Sequence, residues 1–345
     1  MAATQLTGHD IVVVGASAGG VEALRAVVKD LPPDLDATVF VLLHLPPGGT
    51  SVLPRILERA GVLRAQHASD GTVFQRANIY IAPPDQHMRF SDGTVTLDRG
   101  PRENGHRPAV DPMFRSAAEA FGGRVVGVVL SGVLDDGSAG LFAVKEAGGA
   151  TLVQTASDAM YPTMPVAALH AVGEPDVEGT ASEIAAAIVQ LTRKPPLGPA
   201  PELIPDPPVE EEVYIEVDRS ASERPRDGRP SGYTCPECHG ALWETEEGNV
   251  TRYRCRTGHE FSQESLVIEQ HEHVERALWA SLRALEEKAA MLRRLSIRFR
   301  ERDQRRTAVR LERKATAILD EAFTIRGILR HLEPVADAFE EEKAS

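Results

Sequence analysis

A serine on a glycine-flanked turn, Ser17 in Gly15-Ala16-Ser17-Ala18-Gly19-Gly20, follows directly on the apolar run Ile11-Val12-Val13-Val14. Small residues on either side let a strand-to-helix turn push a hydroxyl outward, and the helix starting near Gly19 points free N–H groups at the same spot. Those groups suit a developing oxyanion. The same turn also suits phosphate binding or a plain tight connection. A serine hydroxyl is barely ionised at neutral pH, so a nucleophilic role needs a base. An imidazole base in turn needs a carboxylate to fix its tautomer and balance the imidazolium.

The candidates for those two roles lie at the ends of other apolar runs. His44 follows Thr38 to Leu43, and Asp136 lies just past a further strand in Leu130-Ser131-Gly132-Val133-Leu134-Asp135-Asp136-Gly137. Asp135 competes with Asp136 for the acidic role. His106, in Asn104-Gly105-His106-Arg107-Pro108, lies on no strand and suits substrate contact better than base. His87 and His170 read as surface or structural residues. The plain alternatives are a histidine hydrogen-bonded at a strand end and Ser or Asp side chains capping helices.

The elements that would position these residues alternate from about residue 9 to 193. Strands are predicted at Ile11 to Val14, Thr38 to Leu43, Asn78 to Ala82, Val125 to Leu130 and Thr151 to Thr155, and helices at 20–29, 51–60, 111–121, 138–147 and 181–192. Such alternation predicts an α/β fold, a doubly wound, mostly parallel sheet covered on both faces. In an open parallel sheet the loops after the strands gather on one edge, so Ser17, His44 and Asp136 can converge there. Between Met88 and Leu97 the Asp92-Gly93 turn predicts a β-hairpin.

A second cluster carries different chemistry. Cys235 and Cys238, then sixteen residues, then Cys255 and His259 provide three thiolates and one imidazole, the donor set of a tetrahedral structural zinc site. His239 is a poorer fourth ligand. Glu247 and Gly248 sit in a segment, Leu242 to Tyr253, that can form a hairpin joining the two halves. A unit of about thirty residues has too small a core to fold without its metal. A redox Cys-x-x-Cys pair would leave Cys255 and His259 without a role.

Between the two clusters, residues 194–232 contain nine prolines and many acidic side chains, with only Val213 to Val217 apolar enough for a short strand; this predicts a semi-extended linker. After Phe261, Leu278, Leu282, Leu285, Ala289 and Leu292 mark one helical stripe. Leu311, Ala315, Ile318, Ala322, Ile325, Leu329 and Leu332 mark a second. Two helices that pair with each other or with another chain follow, with Pro334 beyond them. Arg293 to Lys314 carries ten basic and three acidic residues. A solvated helix-hairpin tip explains that first, docking to an acidic partner second, and nucleic acid third, because only Phe299 offers stacking nearby.

At 345 residues, two to three folded units are expected. The net charge of −13 disfavours general nucleic-acid affinity. No signal-like leader and no run of roughly 18 apolar residues is present, so membrane insertion is not expected and a cytoplasmic location is.

The ordered segments Gly15 to Gly20, His44-Leu45-Pro46-Pro47-Gly48, Ile79 to Met88, His106-Arg107-Pro108-Ala109-Val110-Asp111 and Ser131 to Gly137 together resemble the catalytic domain of the chemotaxis protein-glutamate methylesterase family, CheB. The resemblance covers roughly residues 9–193. It implies a doubly wound parallel sheet, Ser17 as nucleophile, His44 as base, Asp136 as orienting carboxylate, and an oxyanion hole from the amides of Ala18 and Val133. It also implies ester hydrolysis on methylated chemoreceptor helices, with glutamine deamidation as a side activity. His106, Arg107 and Met164 are then candidates for substrate contact, and no cofactor is expected for catalysis beyond the structural zinc of the C-terminal module.

Ala18, Val133 and Asp135 depart from the family's usual threonine, methionine and asparagine. The customary phospho-acceptor receiver does not precede the first strand, so phosphorylation control in cis is expected to be missing. The expected organisation is a catalytic domain at 8–193, the linker at 194–232, a zinc-ribbon-like module at 233–261 and a helical hairpin or coiled coil at 262–345, available for a signalling partner or a homodimer. The rival reading is a non-catalytic chemosensory adaptor that binds with the same domain and tail.

Overall fold

The computed structural model describes residues 8–44, 51–91, 93–193, 228–247 and 250–332. Leu45 to Gly48, Asp92, Gly248, Pro334 and most of the proline-rich linker, with Val213 to Val217, lie outside the described residues. The chain forms two compact units, Met1–Leu266 and Val267–Ser345.

The first unit is built on strands β1 (Ile11–Ala16), β2 (Thr38–Leu43), β3 (Arg64–His67), β4 (Asn78–Ile81), β7 (Val125–Val129), β8 (Ala150–Gln154) and β9 (Val177–Gly179). They make one seven-stranded sheet in the order β3-β4-β2-β1-β7-β8-β9. Every pairing is parallel, and β1 lies between β2 and β7. The chain therefore winds to both sides from β1, and the crevice for a ligand opens where β1 ends.

β1, β2 and β7 are buried along their whole length, which is why they read as unbroken apolar runs. The period of two divides β1 between faces. Val12 and Val14 pack with α1 (Gly20–Lys29), α2 (Leu53–Ala60) and α6 (Ala181–Thr192). Ile11 and Val13 pack with α3 (Val110–Phe121), α4 (Ser138–Glu146) and α5 (Thr163–Val172). The antiparallel hairpin of β5 (His87–Ser91) and β6 (Thr94–Asp98) lies on this second layer, where Phe90 meets Phe40 and Phe121 edge-on.

Within the parallel sheet and the α-helices that cover it, three elements have no counterpart among the predicted ones. β3, Arg-Ala-Gln-His, is a polar edge strand, and β9 has only three residues. Helix α5 opens on Thr163, Met164 and Pro165, and a proline is tolerated there because first-turn amides have no intrahelical partner.

A small four-stranded antiparallel sheet completes this unit: β10 (Arg229–Thr234), β11 (Ala241–Glu247), β12 (Val250–Cys255) and β13 (Glu260–Ser262), in sequential order. β10 starts four residues before the expected module, inside the range assigned to the linker. The hairpin pairs Leu242 with Cys255 and Glu247 with Val250. Its core is Cys235, Leu242, Tyr253, Cys255, Phe261 and Leu266.

The last helices are α7 (Gln263–Glu301) and α8 (Arg305–Arg330). Within the second unit, Ala289 packs with Ala315 and Ile318, flanked by Leu285, Leu292 and Leu319. Small residues at the seam let the helices approach closely, and Ser296 donates to the carbonyl of Ala308 at 2.9 Å. The turn passes through Asp303 at φ 56°. The ten basic side chains from Arg293 to Lys314 are exposed around it. No described helix is long and apolar enough to cross a membrane.

Candidate active site

Ser17 leaves the end of β1 on a turn that Gly19 completes at φ 67°, as the residue capping α1. A Cβ at Gly19 would come within 2.7 Å of Ser131 Oγ and 2.8 Å of Met160 Cβ, so glycine is required for space as well as for backbone. The turn is braced against the loop after β7: the Ser17 amide donates to the Ser131 carbonyl at 2.9 Å, and Ser131 Oγ donates to the Ala18 carbonyl at 2.8 Å. Gln154 at the end of β8 accepts from the Ser131 amide at 2.8 Å. The amides of Ala18 and Val133 have no acceptor among the described residues.

His44 Nδ1 lies 3.1 Å from Ser17 Oγ, and His44 Nε2 lies 2.8 Å from Asp136 Oδ2. A carboxylate only accepts, so the ring proton sits on Nε2 and the Nδ1 lone pair faces the serine hydroxyl. Asp136 takes the acidic position and its neighbour Asp135 does not. Leu134, at φ 65°, turns the loop so that the two carboxylates diverge.

Asp136 is 1 % exposed yet accepts many donors. Val110 N donates to Oδ2 at 2.7 Å, while Asp111 N at 3.2 Å and Asn104 Nδ2 at 2.9 Å donate to Oδ1. The first two amides are the free N-terminus of α3. Burial pushes this carboxyl up, but the hydrogen bond and charge of His44, the His106 ring and the Val110 amide outweigh it and hold it well below the usual range. The group is an anion at neutral pH.

His106 stacks on His44 with ring centroids 3.8 Å apart. Burial first, then the neighbouring His44, brings its pKa down to about 3, so it is a neutral plate against the His44 ring. Arg107 is held by Asp85 at 2.7 Å and by the Gly100 carbonyl at 2.8 Å. Met164, expected as a substrate contact, is instead fully buried beneath Gly132, because α5 turns it into the core. Exposed apolar surface beside Gly19, two residues after the serine, comes from Met160 and Tyr161, 63 % and 40 % exposed, which sequence reasoning did not single out. His87 is buried and bonded to the Pro101 carbonyl at 2.9 Å, whereas His170 is exposed.

A match to the family model described as CheB methylesterase covers residues 12–188. The chain belongs to the CheB methylesterase family. It is 40% identical over 186 residues to a protein-glutamate methylesterase/protein-glutamine glutaminase of Geobacillus kaustophilus, covering 52% of this chain and 53% of that one. A Methanosarcina mazei relative of the same description is 35% identical over 165 residues, 46% of this chain and 45% of the relative. The chain thus spans about half the length of the curated relatives it matches. The crystal structure of the Thermotoga maritima CheB methylesterase catalytic domain superposes with TM-score 0.51 at 32% identity, covering 53% of this chain and 98% of that domain. Within this CheB-family chain, Ser17, His44 and Asp136 all fall in the matched region.

The Cys/His sheet lies outside the family match. The ligand atoms of Cys235, Cys238, Cys255 and His259 all lie within 4.8 Å of one another, a cluster able to hold a metal ion. Backbone turns set it up: the His239 amide donates to the Cys235 carbonyl at 2.9 Å, and the Gly258 amide to the Cys255 carbonyl at 3.1 Å. His239 itself is exposed and outside the cluster. Three thiols and an imidazole on two tight turns fit a borderline-soft tetrahedral cation.

Proposed function

We propose that the chain is a protein-glutamate methylesterase acting on methylated chemoreceptor helices in the cytoplasm. The observation that carries this reading is one imidazole spanning a hydroxyl at 3.1 Å and a buried carboxylate at 2.8 Å, within a chain of the CheB family. Ser17 Oγ attacks the side-chain carbonyl carbon of a glutamate methyl ester while His44 Nδ1 takes its proton. The amides of Ala18 and Val133 hold the oxyanion. His44 then protonates the departing methoxide, giving methanol and an acyl-serine. Water, deprotonated by His44, attacks the acyl carbon and releases the glutamate carboxylate and free Ser17. Asp136 keeps the ring in the productive tautomer and balances the imidazolium.

The exposed Met160 and Tyr161 form an apolar flank suited to a receptor helix. Glutamine deamidation follows the same route with ammonia as leaving group. The ion assigned to Cys235, Cys238, Cys255 and His259 is a structural zinc, in a zinc-ribbon-like module with no part in the bond-breaking steps. The exposed basic turn of the helical pair would serve docking to an acidic signalling partner.

Methanol release from methylated receptor fragments tests the reading. Wild type is expected to turn over and to take a fluorophosphonate label on Ser17, and Ser17→Ala to do neither. Binding of methylated fragments with no methanol released and no label would favour the adaptor reading instead.

A further inference from the structure

Asn104, whose side chain bonds Asp136, and Asp111, whose amide does, are held from behind by side chains that the small Cys/His sheet supplies. Arg252, on β12, is 1 % exposed and uses its whole fork. Nη2 donates to Asp111 Oδ2 at 2.9 Å, Nη1 to Asn104 Oδ1 at 3.2 Å and Nε to Glu260 Oε1 at 3.2 Å. Asn104 is the relay. Its oxygen also accepts from the Ser262 amide at 3.1 Å and from Ser265 Oγ at 3.3 Å, and its Nδ2 donates to Asp111 at 3.0 Å and to Asp136 at 2.9 Å. Only donors face one end of that amide and only carboxylates the other, so its orientation is unique. The residue is held at φ 51° by its amide's bond to the Glu260 carbonyl at 2.8 Å.

A second path runs through Asp111. Its Oδ1 accepts from the amides of Gly137 at 3.0 Å and Gly140 at 2.7 Å, fixing the residue that follows Asp136. Burial pushes Asp111 up to about 6, and the Arg252 guanidinium opposes this. Ser262 Oγ donates to Asp135 at 2.8 Å, pinning the other neighbour. Arg115 bonds Glu103, which precedes Asn104, and lies 4.0 Å from Glu260. Buried charges of this density hold one arrangement only while every partner is present.

We propose that the Cys/His sheet is a working part of the esterase, in which Arg252 is a positioning residue that aligns Asp136 through Asn104 and Asp111. This deepens the methylesterase reading and rests on it. Arg252 touches neither substrate nor the reacting atoms; it sets where the carboxylate stands, and so where the imidazole points.

The test uses the full chain with its metal and a peptide bearing a glutamate γ-methyl ester. Arg252→Met is expected to lower kcat by about tenfold or more with KM within about twofold, the signature of lost alignment rather than lost binding. Arg252→Lys, which keeps a charge beside Asp111 but cannot fork to Asn104, should fall between. Asn104→Gly suits the positive φ and removes the relay. Adding an Arg252 substitution to it should then cost clearly less than the same substitution costs in wild type. Should Arg252→Met fail to fold, Arg252→Lys and Asn104→Gly complete the cycle, with circular dichroism establishing their fold.

Folded Arg252 variants with wild-type kcat, or losses that multiply as if independent, would overturn the proposal while leaving the esterase reading intact. A wild-type chain that releases no methanol and takes no fluorophosphonate would overturn the esterase reading, and this proposal with it.

Discussion

The sheet edge at Ser17 and the Cys/His cluster both gather a few polar side chains on tight turns, yet they are held in place by different means. Behind the first stand two apolar layers and strands β1, β2 and β7 with no exposed residue. Parallel pairing across a packed sheet fixes the spacing of the loops that carry Ser17, His44 and Asp136 before any ligand arrives. Behind the second, among the described residues, stand Leu242, Tyr253, Phe261 and Leu266 besides the three cysteines themselves. A core that small is not expected to hold the four side chains together unaided, and an ion bound by them would supply the missing support. Burial supplies rigidity in one region, ligation of an ion would supply it in the other, and the Arg252 network joins the two.

The largest effect that sharpens this contrast is expected at the serine. Ser17→Ala should cut methyl-ester hydrolysis by about a thousandfold or more while leaving the melting temperature near wild type, because the core does not depend on that hydroxyl. A large fall in melting temperature would break the contrast. Metal removal should act in reverse. On chelation, amide hydrogen exchange is expected to speed up throughout β10 to β13 while β1, β2 and β7 stay protected, with methanol release falling in parallel. Protection retained in β10 to β13 would show that the small sheet does not need an ion.

Phe261→Ala, which empties a fully buried site in the small sheet, should cost about 3–5 kcal/mol locally and be read as weakened affinity for added zinc in a chelator competition.

The pH dependence should include two groups of opposite sign, with Asp111, which burial raises to about 6, acting in the same direction as Asp135. His106 is brought from 6.5 to about 3 by burial, so the folded state declines a proton that the unfolded chain accepts. Its contribution to stability is present above pH 6.5 and is lost as pH falls toward 3. Burial raises Asp135 from 3.8 to about 7, so its contribution is present below pH 3.8 and is lost as pH rises through 7. Urea unfolding between pH 4 and 8 should show a shallower acid limb in His106→Phe and a shallower alkaline limb in Asp135→Asn. An unchanged curve in either variant would refute that assignment.

The smallest effect belongs to the far layer. Thr180 caps α6 in a reciprocal box with Glu183, and Thr180→Ala should cost about 1 kcal/mol in urea unfolding with no change in kcat. A change in kcat would mean that the apolar layers transmit more than they are credited with here.

Much of this protein is legible in one dimension. Buried parallel strands must be apolar along their length, so β1, β2 and β7 can be read directly, and the glycines around Ser17 mark a turn that few other residues could make. The spacing of Cys235, Cys238, Cys255 and His259 is set by two local turns, so their clustering can be read with no knowledge of the fold. Polar β3 and proline-bearing α5 leave no such mark, since their neighbours stabilise them rather than their own periodicity.

The choice between Asp135 and Asp136 was decided by a left-handed backbone at Leu134 and by the amides at the start of α3, neither of which has a signature in residue type. Asn104, Asp111 and Arg252 escaped for a stronger reason. The bond from Arg252 to Asn104 joins residues 148 positions apart, across a segment whose composition reads only as a linker. Composition and spacing report what a residue needs from its neighbours along the chain. Which distant carboxylate a buried guanidinium will meet is settled only when packing brings the two together away from water.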